Sequence, residues 1–193
     1  MELPLFPLAT VLFPGGTLGL RIFEPRYLEL VAACTRESSP FGVCLIVSGQ
    51  EVGGAATPAP IGTTARIVDF TQLPDGLLGI TARGEEVFTV SSTRVGEHQL
   101  LVGDVTMRGA EPEVPVPAEY GLLATLLERL ASQMGGELGS APKRKFDDAA
   151  WVVYRLAELL PLEHVDRLEL LAETDPVARL AKLAEWLPRF QRE

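Results

Sequence analysis

Leu3-Pro4-Leu5-Phe6-Pro7-Leu8, Leu12-Phe13-Pro14-Gly15 and Ile22-Phe23-Glu24-Pro25-Arg26-Tyr27 open the chain, and their punctuation decides how the rest is read. A secretory leader carries positive charge and then an unbroken apolar run. Here proline interrupts the apolar runs, and the only charge before residue 20 is Glu2. The segment is therefore expected to belong to a folded domain, with export disfavoured. It reads as a proline-punctuated strand, a barrel closure and a helix start. Pro25 suits the first helical position, where its missing N–H costs nothing. Tyr27, Leu30, Val31 and Cys34 then share one helix face at spacings of three and four.

Outward from this opening, short apolar runs separated by Pro and Gly continue to about Met107, as in a β-rich domain. Strands are expected over 2–6, 17–23, 41–48, 63–71, 77–83, 86–92 and 100–106. Leu73-Pro74-Asp75-Gly76 has the chemistry of a tight turn and should join two antiparallel strands. Residues 49–60, rich in Gly, Ala and Pro, read as a surface loop. Residues 111–117 hold three prolines and read as a connection. Beyond them the apolar period becomes helical. Leu122, Leu123, Leu126, Leu127 and Leu130 form one stripe, ended by Gly135-Gly136. Val152, Val153, Leu156, Leu159 and Leu160 form a second, stopped by Pro161. A short helix follows over about 163–172. Asp175-Pro176 then supplies a cap and a first-position proline for a stripe of Val177, Leu180, Ala184 and Leu187. The expected organisation is a barrel subdomain over 1–110 with one inserted helix, a connection over 111–117, and a helical bundle over 118–193.

Composition narrows the chemistry. Hydrophobic residues make up 47% of the 193, enough for a substantial core. A formal net charge of −9 disfavours both a phosphate-tracking surface and attachment to anionic lipid. No apolar run reaches the roughly 18 residues of a membrane helix. Cys34 and Cys44 are too few for a disulfide scaffold and read as reduced core thiols of a cytoplasmic protein. Two distant histidines and two isolated cysteines give no metal-ligand spacing, and no cofactor is expected. There is no Gly-x-x-x-x-Gly-Lys-Ser/Thr segment to cradle phosphates. Ser91, Ser92, His98 and Asp104 have residue types suited to nucleophilic catalysis, but they fall along a hairpin without a nucleophile-elbow pattern. His164 reads as an exposed helix-start residue. Pro142-Lys143-Arg144-Lys145 is the one compact basic cluster, and reads as a solvated loop between helices.

The three opening motifs resemble the signature of the amino-terminal, substrate-binding domain of Lon-type ATP-dependent proteases. Phe41-Gly42-Val43, Ile61-Gly62-Thr63-Thr64-Ala65 and Gly79-Ile80-Thr81-Ala82-Arg83-Gly84 extend the likeness, as do Leu159-Leu160-Pro161-Leu162 and Leu170-Leu171-Ala172-Glu173. The resemblance implies an α+β fold: a PUA-like β-barrel followed by a C-terminal α-helical bundle. It differs at Gly84-Glu85-Glu86-Val87-Phe88, where the family commonly has Arg and this chain has Val87.

What the resemblance implies is recognition rather than catalysis: a stand-alone, non-enzymatic module without the Lon motor or Ser-Lys protease motifs. Its partners would be exposed or unfolded polypeptide segments, or a Lon-type protease. Phe6, Phe13, Phe23, Glu24, Arg26 and Tyr27 are the candidate peptide-contact residues. A structural role competes at each: Phe6 and Phe13 as core, Glu24 and Arg26 as an ion pair fixing the junction. RNA binding, which relatives of the PUA-like fold perform, is the alternative. It needs clustered Lys and Arg with stacking aromatics, which the acidic, scattered composition does not offer. An unrecognised hydrolase is the weaker alternative.

Overall fold

The structure, a computed structural model, describes residues 1–51, 53 and 56–190. The chain divides into two compact units, Met1–Gly109 and Ala110–Glu193.

The first unit contains β1 (Glu2–Leu8), β2 (Thr17–Ile22), α1 (Pro25–Glu37), β3 (Phe41–Ser48), β4 (Thr57–Gln72), β5 (Leu78–Val95) and β6 (Leu101–Met107). The strand order is β2-β5-β4-β3-β1-β6, and β5 also pairs with β6. That extra pairing closes β5, β4, β3, β1 and β6 into a ring, leaving β2 as a branch on β5. All pairs are antiparallel except β1 with β3. Two clusters fill the unit. One, built on Leu3, Leu5, Cys44, Phe88, Leu101 and Val105, draws its residues from the ring strands alone. The other includes Phe6, Phe41 and Ile80 together with Tyr27, Leu30, Val31 and Cys34 of α1, so the expected helix face is the buried one. Cys34 and Cys44 are buried free thiols, and burial pushes the Cys44 thiol up to about 12.

The two largest differences from the expected strands lie in β4 and β5. Residues 57–60, read as loop, belong to β4. They pair only with β3, since β4 meets β5 from Ile61 onward, and this one-sided pairing tolerates Pro58 and Pro60. Of the expected loop, residues 52, 54 and 55 lie outside the described residues. The two strands expected over 77–83 and 86–92 are one strand, β5. Gly84 does not break it. The glycine lets the β1–β2 connection dock: Gly15 N–H donates to the Gly84 carbonyl and Gly84 N–H to the Gly16 carbonyl, both at 2.8 Å. A Cβ on Gly84 would sit 2.3 Å from the Phe13 carbonyl oxygen. The turn at residues 73–76 forms as read, with Gly76 at φ +85° and its N–H donating to the Leu73 carbonyl at 2.8 Å.

The second unit contains α2 (Gly121–Met134), α3 (Gly136–Gly139), α4 (Ala149–Leu159), α5 (His164–Ala172) and α6 (Pro176–Trp186). Gly135 and Gly136 both have positive φ and end α2. Asp148 and Asp175 cap α4 and α6 through the amides of Trp151 and Val177. Residues 111–117 are held by this unit: Val116 N–H donates to the Asp147 carbonyl and Ala149 N–H to the Val114 carbonyl. Glu111 receives both terminal nitrogens of Arg179 at 2.7 and 2.8 Å, and Arg179 is fully buried. The buried faces are narrower or rotated relative to the expected stripes. Leu122 is 82% exposed, and α6 buries Arg179, Leu180, Leu183 and Trp186. No helix among the described residues is long and apolar enough to cross a membrane.

Candidate functional site

The junction between β2 and α1 is built by local chemistry. Glu24 has extended backbone angles, and its carbonyl accepts the amides of Tyr27 and Leu28, which starts α1 behind Pro25. The first helical turn then directs Arg26 and Tyr27 inward. Tyr27 stacks face to face on Phe6 of β1, with ring centroids 3.8 Å apart and planes 6° from parallel. Phe6 also meets Phe41 at 6.1 Å. Arg26 is 7% exposed; its guanidinium lies 3.0 Å from the Glu24 carboxylate, 4.6 Å from the Tyr27 ring centroid and 3.3 Å from the Glu51 carbonyl oxygen. Its Nε is buried and meets no acceptor among the described residues. Burial raises the Tyr27 phenol, opposed by Arg26 and reinforced by Glu24 and Glu51.

These groups border a cavity of about 320 Å³. Phe6 and Leu8 from β1, Leu18, Gly19, Leu20 and Arg21 from β2, and Phe23, Glu24, Tyr27 and Glu51 line it, with Thr10. The wall is mainly apolar. Its charges already have partners: Glu24 is held by Arg26, Arg21 by Asp75, and a Glu51 carboxylate oxygen accepts the Ala9 amide. The cavity thus suits an apolar side chain better than an ion. Phe23 is 47% exposed at its edge. The β2 strand pairs only with β5 among the described residues, so one strand edge adjoins the cavity. An extended segment lying there could place side chains in the cavity and add main-chain hydrogen bonds to β2.

Four of the six candidate residues, Phe6, Phe23, Glu24 and Tyr27, therefore come together around one opening. Arg26 is not on the wall and positions three residues that are. Phe13 has no exposed surface. It sits in the connection fastened to Gly84, which Thr63 also holds by donating to the Leu12 carbonyl at 2.6 Å. Phe13 therefore offers no surface for a contact in this structure. The wall residues from β2 were not singled out in the sequence. Leu18 and Leu20 alternate as in any half-buried strand, and nothing local shows that a cavity opens beside them.

The remaining candidate chemistry does not assemble. The Ser91 hydroxyl donates to the Asp104 carbonyl, the Asp104 carboxylate pairs with the Met1 amino group, and His98 lies 3.3 Å from Glu29. His164 is exposed at the start of α5. Val87, at the position where Arg was expected, is buried. In the second unit, Arg144 and Lys145 border a cavity with Glu113, Asp147 and Asp148, so carboxylates face the basic cluster. No group of three or more His, Cys, Asp or Glu side chains suited to a metal occurs among the described residues.

Comparison with known proteins identifies the family and the fold. The family described as ATP-dependent protease La (LON) substrate-binding domain matches residues 2–189. No curated protein matches the chain. The crystal structure of a Lon N-terminal domain protein from Xanthomonas campestris is 46% identical, with a TM-score of 0.83 over 97% of this chain and 99% of that one. The N-terminal domain of a Mycobacterium avium complex Lon protease is 17% identical, with a TM-score of 0.68 over 96% of this chain and 97% of that one, a likeness of fold.

Proposed function

The chain belongs to the LON substrate-binding domain family, and from that premise we propose that it is a non-catalytic module that binds exposed or unfolded polypeptide segments through the cavity beside β2. The observation that carries this reading is the convergence of Phe6, Phe23 and Tyr27 on one mainly apolar opening that adjoins a strand edge. Its partner in this reading is a Lon-type protease, to which it would bring such segments. Two buried free thiols suit a reducing, cytoplasmic setting.

Gly19 supplies a clean test. It lines the cavity, and no atom lies within 4 Å of where its Cβ would stand, so the fold has room for a side chain there. The probe is a fluorescently labelled protein kept unfolded by reduction and carboxamidomethylation of its cysteines. Gly19→Phe and Phe23→Ser should each weaken its binding about tenfold, equivalent to roughly 1.4 kcal/mol. The thermal midpoint should stay close to that of the parent chain. Leu122→Ser, an exposed change in the other unit, should bind as the parent does. Parent-like binding by Gly19→Phe would remove the cavity from the account. Co-sedimentation of the chain with an intact Lon-type protease and the unfolded probe checks the partner.

A further inference from the structure

We propose that a second groove of the first unit, between α1 and the ends of β1 and β6, binds a polypeptide segment in which apolar and basic side chains alternate. The groove has a volume of about 610 Å³, nearly twice that of the cavity beside β2. It stands apart from that cavity: no residue lines both.

Three features select the occupant. First, Leu3, Leu30, Cys34, Leu100 and Val102 give the groove an apolar lining. Second, the groove runs along an open strand edge. β1 pairs with β3 only from Leu5 onward, whereas residues 2–5 pair with β6. Residues 2–4 therefore have a strand neighbour on one side alone among the described residues, and all three line the groove. Met1 and Val105 exchange hydrogen bonds at 2.8 Å each way. The alternation of an antiparallel ladder then directs the N–H and C=O of Glu2 away from β6. Those groups can pair with an added strand. Third, the charged lining is unbalanced. Glu2, Glu29, Glu37 and Glu97 line the groove, against Arg36 and the Met1 amino group. Arg94 holds Glu2, Arg36 holds Glu37 and the Met1 amino group pairs with Asp104, so Glu97 and Glu29, the latter 3.3 Å from His98, are the carboxylates an added basic side chain meets.

An added strand places successive side chains on opposite faces, so alternate residues can reach the apolar floor while those between them meet the carboxylates. Lysine or arginine at the intervening positions complements the lining, and glutamate there is repelled. Each exposed charge pair contributes little by itself and is screened by salt. Apolar contact and charge are both needed for selection. This site is independent of the cavity beside β2 and of the reading built on it.

The test uses the full chain and three labelled octapeptides followed by fluorescence anisotropy: alternating Leu-Lys, alternating Leu-Glu and alternating Ser-Lys. The Leu-Lys peptide should bind at least tenfold tighter than the other two, and weaken as salt rises from 50 to 500 mM (roughly a threefold shorter screening length). Glu29→Lys combined with Glu97→Lys should reduce its affinity about tenfold, and Ala33→Trp, which fills the groove, should abolish binding. Gly19→Phe should leave it unchanged. Equal binding of Leu-Lys and Leu-Glu, or of Leu-Lys and Ser-Lys, would overturn the proposal. So would loss of binding in Gly19→Phe with retention in the Glu29→Lys, Glu97→Lys variant. The charge variants change only exposed side chains, so they decide the matter even where Ala33→Trp perturbs α1.

Discussion

Arg179 is the residue whose loss should cost the second unit most. It is fully buried, donates to both oxygens of Glu111 and to the Glu173 carbonyl, and lies 4.8 Å from the Tyr154 ring centroid. Tyr154 adds a hydrogen bond to the same carboxylate at 2.5 Å. Arg179→Met keeps most of the volume but leaves Glu111 with its partner cation gone. The expected destabilisation is about 3–5 kcal/mol. Pairing it with Glu111→Leu should recover much of that loss, and urea denaturation of the single and double variants measures both. This network was not legible in the sequence. Arg179 interrupts an apolar stripe and carries a charge, so periodicity places it in solvent. Arg26 is the contrasting case: its counter-charge, Glu24, is close in sequence, and the expected ion pair forms at 3.0 Å. A charged residue is read as exposed unless its counter-charge is local, and Glu111 lies 68 positions from Arg179.

Among elements, β5 shows what close packing adds to sequence pattern. Gly84 looks like a strand breaker, yet it is the point where the β1–β2 connection meets β5 at hydrogen-bond distance. Gly84→Ala should destabilise the first unit by about 1–3 kcal/mol, because its Cβ meets backbone rather than a yielding side chain. Gly19→Ala, with open space around it, should change stability by no more than about 0.5–1 kcal/mol. Comparing the two denaturation midpoints separates a packing glycine from a cavity-opening one. The helices were legible where caps and breakers are explicit. Asp175-Pro176 starts α6 and Gly135-Gly136 ends α2 as their chemistry dictates. The faces were less legible. Leu122 and Leu123 are equally apolar, but only one can face the core.

At the scale of the molecule, the opening motifs contribute to both the scaffold and the candidate site. Phe13-Pro14-Gly15 fastens the barrel, while Phe6, Phe23, Glu24 and Tyr27 surround the opening beside β2. The family and the α+β fold were legible because they rest on many local signals that agree. The cavity was legible only in part, since its wall is completed by strand residues that tertiary pairing brings to the junction. The larger groove was not legible at all. It joins residues from the start of β1, the back of α1 and the approach to β6, which are distant in sequence. The central claim is that unfolded polypeptide lies along β2. Amide hydrogen exchange of the full chain, with and without a saturating unfolded protein, tests it most directly. The account predicts slowed exchange in Thr17–Ile22 and at residues 23–27, with the helices of the second unit unchanged. Unaltered exchange along β2 while the unfolded protein remains bound would contradict it.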